Sequence, residues 1–132
     1  MKMENKLLEI YVHLTEINEI NMEEVTIRMA LFDGYCDGPY FQGTILPGGV
    51  DRQMIYNDGT GCLSARYMLK GTDNTNHACS IYIENTADIG SNWTKPQIFT
   101  DSQNLKWMEQ VSLKGNIKNE NGKLTITIFS VT

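Results

Sequence analysis

Apolar and polar residues alternate with a period of two along most of this sequence, and the alternation restricts the fold more than any other feature. In LLEIYVHLT the apolar residues Leu8, Ile10, Val12 and Leu14 fall on one face, and the segment VTIRMALF, residues 25–32, repeats the pattern. Successive side chains of a β-strand point to opposite faces, so both segments are predicted to be strands with one apolar face. No long stretch keeps the helical period of 3.6, which indicates an all-β fold with little helix.

Turn residues divide the remainder of the chain into further short strands. Asp58-Gly59 and Asn121-Gly122 suit the two-residue turns of tight β-hairpins, and the second of these predicts a hairpin at the end of the chain. We expect other strands in four segments, at about 39–46, 51–57, 61–70 and 77–85.

Two polar segments are predicted to be irregular. Residues 16–24, EINEINMEE, read as a link between the first two strands. Residues 88–105 contain Pro96 and show no sustained period, so we expect a long loop with at most one short strand near residues 97–100.

Eight or nine strands joined by short connections close most simply into an antiparallel barrel or a two-sheet sandwich. A chain of 132 residues fits one domain with a core of its own. We therefore predict a single all-β domain over residues 1–132, a closed antiparallel β-barrel of about eight or nine strands with a lipocalin-like shape. The interior of such a barrel is either filled with side chains or just wide enough for one small ligand.

The charge balance argues against two classes of partner. The formal net charge is -5, with 11 basic and 16 acidic residues, so no excess of cations is present to bind nucleic acid or an anionic membrane surface. The first ten residues, MKMENKLLEI, have neither the apolar core of a signal peptide nor the length of a membrane span. We expect a cytoplasmic protein.

No compact motif points to a cofactor or a metal. Cys36, Cys62 and Cys79 lack the C-x-x-C spacing of zinc sites and are predicted to be free thiols. His77 and Cys79 share a strand face, but no third ligand lies at a metal spacing. The sequence also lacks a phosphate-binding glycine loop, a G-x-S-x-G elbow and H-E-x-x-H. We therefore expect neither cofactor nor metal.

A stretch in the middle of the chain resembles a known family. The string LPGGVDRQMIYNDG, followed by LSARYML and YIEN, is similar to the pattern of the domain of unknown function 3237 family, also called uncharacterised protein family 0311. The resemblance runs from about Leu7 to Val131 and implies a small closed β-barrel without an assigned reaction. Matching positions are Gly38, Gly43, Pro47, Gly48, Gly49, Asp51, Gln53, Asp58, Gly59, Ala65, Arg66, Tyr67 and Asn85.

The sequence departs from that pattern at two positions. Arg52 stands where the family pattern has tryptophan, and Ser64 stands where it has aspartate. If either position belongs to the family's site, that part of the site is altered in this chain.

The matching polar residues suggest where a binding site would lie. Asp51 and Gln53 share a face of one predicted strand, and Ser64 and Arg66 share a face of the next. Cross-strand neighbours in such a hairpin approach to about 5 Å, so the four side chains could form one cluster. Facing the interior, Asp51 and Arg66 would anchor a carboxylate, phenol or carbonyl group, with Asn85 as a further contact. The alternative is that these residues face solvent, or only satisfy each other.

Three functions fit these observations. The first is a small-molecule-binding barrel with its site in the interior or mouth, using Asp51, Gln53, Arg66 and Asn85. The second is an enzyme without a cofactor, of cyclase, isomerase or lyase type, in which Asp51, His13 or a tyrosine moves a proton on an apolar metabolite. The third is an interaction module with a packed interior, and a homodimer is compatible with all three.

Overall fold

The computed structural model describes residues 4–131, which form nine β-strands and one short 3₁₀ helix. Within these residues no helix has the length and apolar character needed to cross a membrane. The 3₁₀ helix, Lys106–Glu109, lies between β7 and β8. The strands are β1 (Glu4–Asn21), β2 (Val25–Asp37), β3 (Phe41–Ile45), β4 (Val50–Tyr56), β5 (Gly61–Asp73), β6 (Ala78–Asp88), β7 (Trp93–Thr100), β8 (Leu113–Glu120) and β9 (Lys123–Val131).

The sheet closes on itself. Eight strands form a ring in the order β1, β9, β8, β7, β6, β5, β4 and β2, and β2 pairs back with β1. The strand pairings are antiparallel, and β3 joins β2 to β5 beside β4. The predicted all-β, closed antiparallel architecture with little helix is confirmed.

The two ends of the ring differ in what fills them. At one end, which we call the closed end, Leu105 and Met108 from the segment before β8 are fully buried. They join an apolar core that includes Leu7, Phe41 and Ile81. The other end, the open end, carries the turns that follow β1, β4, β6 and β8. Apolar packing therefore fills the closed end of the ring, and turns between strands border the other end.

Strand β1 is longer than the sequence predicts. The predicted link at residues 16–24 is wrong in its first part, because β1 continues to Asn21. There it pairs with β2, with Ile17 opposite Ala30 and Ile20 opposite Ile27. Every residue from 13 to 21 is exposed, so neither face has to be apolar and the clear alternation seen in other strands is absent.

The predicted loop at residues 88–105 is also wrong over much of its length, because β7 spans Trp93–Thr100. Buried and exposed residues alternate along this strand, with Thr94, Pro96, Ile98 and Thr100 buried. Two threonines and a proline occupy three of the four buried positions, so a search for alternating apolar residues does not detect this strand.

Strands β7 and β8 meet along a short ladder, which we call the β7–β8 junction. Within residues 4–131 it consists of two residue pairs, Trp93 with Asn116 and Thr94 with Gly115. Pro96 lies beyond the junction, where this side of β7 is an edge. A proline is tolerated there because its missing N–H interrupts no ladder.

Candidate functional site

The β4–β5 hairpin places Asp51 on the interior face of the ring. Asp51 lies directly opposite Ala65, and Ala65 lies opposite Asn85 of β6. Directly opposite residues of antiparallel strands project to the same face. Ala65 is buried and Asn85 is only 1% exposed, so that face is the interior. The small Ala65 side chain thus lies between Asp51 and Asn85 across the three neighbouring strands.

Arg66 lies on the opposite face of the sheet. It pairs with Val50 on one side and with Glu84 on the other, and its side chain is exposed. Ser64 likewise pairs with Arg52 on the outer face. The predicted cluster of four side chains is therefore not formed, since the register separates Arg66 and Ser64 from Asp51 and Gln53.

A different arginine reaches the interior polar residues. The Gln53 Nε2 group donates a hydrogen bond of 2.8 Å to Asp51 Oδ2, and Arg28 Nη1 donates one of 3.3 Å to Gln53 Oε1. Arg28 Nε also donates to Glu19 Oε2 at 2.8 Å. These four side chains form a hydrogen-bonded row that runs from Asp51 towards the open end. Sequence reasoning missed Arg28, because only the pairing of β2 with β4 places it opposite Gln53.

Several buried polar atoms in the interior have no hydrogen-bond partner within residues 4–131. They are Asp51 Oδ1, Tyr67 Oη, Asn85 Oδ1 and Thr94 Oγ1. Together with Gln53, these residues form what we call the inner polar cluster. Leaving a buried polar atom unpaired costs about 1–3 kcal/mol, and such atoms in native proteins call for a specific explanation such as water, an ion or a ligand.

The atoms of the inner polar cluster lie around positions with little side-chain bulk. Tyr67 follows Ala65 by two residues on the same face of β5, and its ring packs edge-on against Phe32 at 5.3 Å between centroids. A Cβ atom added to Gly115 would lie 3.7 Å from Asn85 Nδ2 and would collide with Thr94 Oγ1. The lack of a side chain at Gly115 thus makes room for the Thr94 hydroxyl beside Asn85.

Burial alters the acid–base properties of two members of the cluster. Removal from water raises the pKa of Asp51, although the hydrogen bond from Gln53 and the charge of Arg52 partly oppose this. Burial also raises the pKa of Tyr67, so its phenol keeps its proton at physiological pH. The site therefore contains one carboxyl group that accepts protons more readily than usual and one phenol that stays protonated.

Half-buried apolar side chains surround the inner polar cluster on the side of the open end. Val12 and Ile117 pack against the apolar core, and Leu63 and Ile55 share the face of Gln53 on β5 and β4. Apolar walls with a few converging polar groups are typical of small-molecule sites.

Two other proton carriers suggested by the sequence lie elsewhere. His13 is exposed and its Nδ1 atom lies 3.0 Å from Asp33 Oδ1. Tyr11 stacks on Tyr35, an exposed residue, with 4.9 Å between ring centroids. Neither side chain belongs to the interior, so Asp51 and Tyr67 are the titratable members of the inner polar cluster.

The two departures from the family pattern lie outside the ring. Arg52 and Ser64 line an open groove of about 740 Å³, and Trp93 and Thr94 also line it. In this groove Arg52 Nη1 lies 3.7 Å from the thiol of Cys62. The Arg52 and Ser64 side chains therefore lie outside the interior, but the positive charge of Arg52 still acts to lower the pKa of Asp51.

The family model described as "Protein of unknown function (DUF3237)" matches residues 5–89. A UPF0311 protein of Clostridium acetobutylicum is 34% identical in an alignment of 93 residues that covers 54% of this chain and 56% of that relative. The chain thus spans little more than half the length of that relative in the alignment. The matched segment contains Asp51, Gln53, Tyr67 and Asn85, whereas Thr94 lies beyond it.

Solved structures share the whole fold at low sequence identity. A protein of unknown function from Clostridium acetobutylicum has a TM-score of 0.85 and 21% identity, with 100% of this chain and 98% of that chain covered. A beta-barrel like protein from Acinetobacter baumannii has a TM-score of 0.82 and 17% identity, covering 100% and 97%. A protein described as an enzyme from Penicillium herquei has a TM-score of 0.81 and 16% identity, covering 99% and 95%.

Proposed function

The chain belongs to the DUF3237 family, whose function is unknown, and from that premise we propose that it binds a small molecule inside the open end of the ring. The inner polar cluster holds the polar part of the ligand, and the half-buried apolar residues around it contact the rest. An eight-stranded ring has room for one small ligand at most.

The unpartnered buried atoms of the inner polar cluster carry this proposal. A packed interior designed only for stability would place apolar groups at these positions, because each unpaired polar atom lowers the free energy of unfolding. Asp51, Asn85 and Thr94 instead lie beside the small residues Ala65 and Gly115. A bound molecule that hydrogen-bonds to these atoms would offset the desolvation of each of them.

Native mass spectrometry tests this proposal. The protein is incubated with an extract of small metabolites, separated from unbound material, and weighed under native and denaturing conditions. We expect an adduct that the denaturing measurement releases. The Asn85→Leu variant should lose it, because a polar contact is replaced by an apolar group of similar size.

The matched control is Arg66→Ala, which removes a polar side chain of the same hairpin from the outer face. This variant should keep the adduct. An adduct that survives Asn85→Leu, or that disappears in Arg66→Ala, would place the site elsewhere, and the lack of any adduct with repeated extracts would count against a binding function.

A second function is an enzyme without a cofactor that acts on the molecule bound at this site. Two observations favour it: burial raises the pKa of Asp51, and one structural neighbour is described as an enzyme. A carboxyl group with a raised pKa is suited to transfer a proton in a cyclase, isomerase or lyase reaction. The Asp51→Asn variant should then bind the molecule but leave it chemically unchanged, as followed by NMR of the bound species. Equal turnover by this variant and the wild-type protein would exclude the role of Asp51.

A further inference from the structure

The hydrogen-bonding capacity of the inner polar cluster restricts the ligand it can hold. The amide oxygen Asn85 Oδ1 only accepts hydrogen bonds, and so does Asp51 Oδ1 when the carboxyl is ionised. The hydroxyl groups of Tyr67 and Thr94 can each donate one hydrogen bond and accept others. A complementary ligand must therefore donate hydrogen bonds to some of these atoms and accept them from others.

The charged side chains near the site also restrict the ligand. Within residues 4–131, the cation hydrogen-bonded to this row of side chains is Arg28, and it already donates to Glu19 and Gln53. Arg66, which the sequence suggested as an anion anchor, lies on the outer face. The positive charge of Arg52 acts on Asp51 only from the outer face. A ligand carboxylate inside the ring would therefore meet the Asp51 and Asn85 oxygens directly, which is a repulsive arrangement.

A hydroxyl group meets the requirement of the cluster. Its O–H can donate to Asp51 or Asn85, while its oxygen accepts from Tyr67 or Thr94. An ammonium group can only donate, and its desolvation among apolar walls is costly. We propose, on the premise that this interior is the binding site, that the ligand is a neutral and largely apolar molecule whose hydroxyl group is held between Asp51 and Asn85, and that carboxylic acids of the same shape are rejected.

Four probes of matched shape test this inference, namely phenylbutanol, phenylbutanoate, phenylbutylamine and butylbenzene. Each is titrated into isotope-labelled protein near neutral pH, and the amide signals of Ala65, Tyr67 and Asn85 report binding in the interior. We expect phenylbutanol to bind more tightly than each of the other three probes, by about tenfold or more. Asn85→Leu should reduce this preference for the alcohol over butylbenzene, and Arg66→Ala should leave it unchanged.

The Asp51→Asn variant examines the rejection of acids directly. The amide removes the negative charge and adds a donor, so phenylbutanoate should bind more tightly to this variant than to the wild-type protein. Equal binding of the alcohol and the acid in the interior, or tighter binding of the amine, would overturn the ligand class while leaving the site intact. If no probe shifts the interior amides, the proposed binding function itself fails for molecules of this size.

Discussion

Asp51 lies opposite Ala65 and one position away from Arg66, and this register determines which side chains the interior contains. A shift of one residue along β5 would exchange its two faces, turning Arg66 inward and Ala65 outward. As it stands, a carboxylate, two amides and two hydroxyl groups share the interior. The arginine that approaches them is Arg28 from β2.

Removal of the Asn85 amide should stabilise the protein in the absence of ligand. Asn85 is 1% exposed and its Oδ1 atom is unpartnered within residues 4–131. Replacement by leucine, which has a similar size, relieves the desolvation of this oxygen, so we expect the free energy of unfolding in urea to rise by about 1 kcal/mol. Binding should be lost in the same variant. Ser64→Ala on the outer face serves as the control, and a large loss of stability in Asn85→Leu would show that the amide has a structural role.

The Gly115→Ala substitution should lower the free energy of unfolding because of Thr94. The added Cβ would collide with Thr94 Oγ1, and overpacking of this kind costs about 1–3 kcal/mol. Thr94→Ala removes the colliding hydroxyl, so the double variant Gly115→Ala with Thr94→Ala should be more stable than the two single effects added together. Urea unfolding of all four proteins measures this coupling. Strict additivity would mean that the two residues do not share the space described.

The stability of Asp51→Asn relative to wild type should depend on pH. Because burial raises the folded-state pKa of Asp51 above its unfolded value, the wild-type fold is penalised for the ionised group above the folded pKa. The penalty decreases as the pH falls through the folded pKa and is absent below the unfolded value, about 4. The variant should therefore be more stable than wild type at neutral pH, and the difference should disappear at about pH 3. A difference that grows on acidification would contradict this assignment.

Asp73 at the closed end should show the opposite dependence. Burial alone would raise its pKa, but hydrogen bonds from Thr75, Ser102 and the backbone of His77 hold the pKa of Asp73 well below its usual range. Its Oδ2 atom accepts from Ser102 Oγ at 2.8 Å. This contribution to stability is present above the ordinary carboxyl pKa and is lost as the pH falls through the lower folded value.

Asp73→Asn should accordingly destabilise the protein most at neutral pH and least in strong acid, because the amide directs a donor towards groups that also donate. Thermal unfolding of the wild-type protein and the variant, at neutral pH and in strong acid, provides the measurement. The exposed Asp33→Asn is a suitable control, and an effect of Asp73→Asn that does not vary with pH would rule out ionisation as the cause.

Alternation and turn chemistry were sufficient to predict the all-β closed fold, because one face of most strands is buried and must be apolar. They failed where that condition does not hold. Ile17 and Ile20 belong to a part of β1 that is exposed on both faces. In β7, Thr94 is buried although it is polar, and Pro96 is buried although proline is rare in strands.

The site could be predicted only in part for a related reason. Asp51 and Gln53 share a face, as their spacing predicts, but the sequence left open whether that face is the interior, because the partner strand of each residue is a property of the closed ring. Arg28 approaches Gln53 through the pairing of β2 with β4, and Gly115 reaches Thr94 through the pairing of β8 with β7. Neither pairing follows from the spacing of residues along the chain.

We expect the ring to open most easily at the β7–β8 junction, because its ladder is short. The junction consists of two residue pairs and a backbone hydrogen bond from Ile117 N–H to the Asn92 carbonyl. Segments with few contacts have a low free energy of local unfolding. One of these pairs is Thr94 with Gly115, beside Asn85. A molecule bound to Thr94 would therefore contact the junction directly, so we expect its release to be coupled to local opening of the ring. Amide hydrogen exchange at Thr94 and Gly115 should then become slower when the interior is occupied.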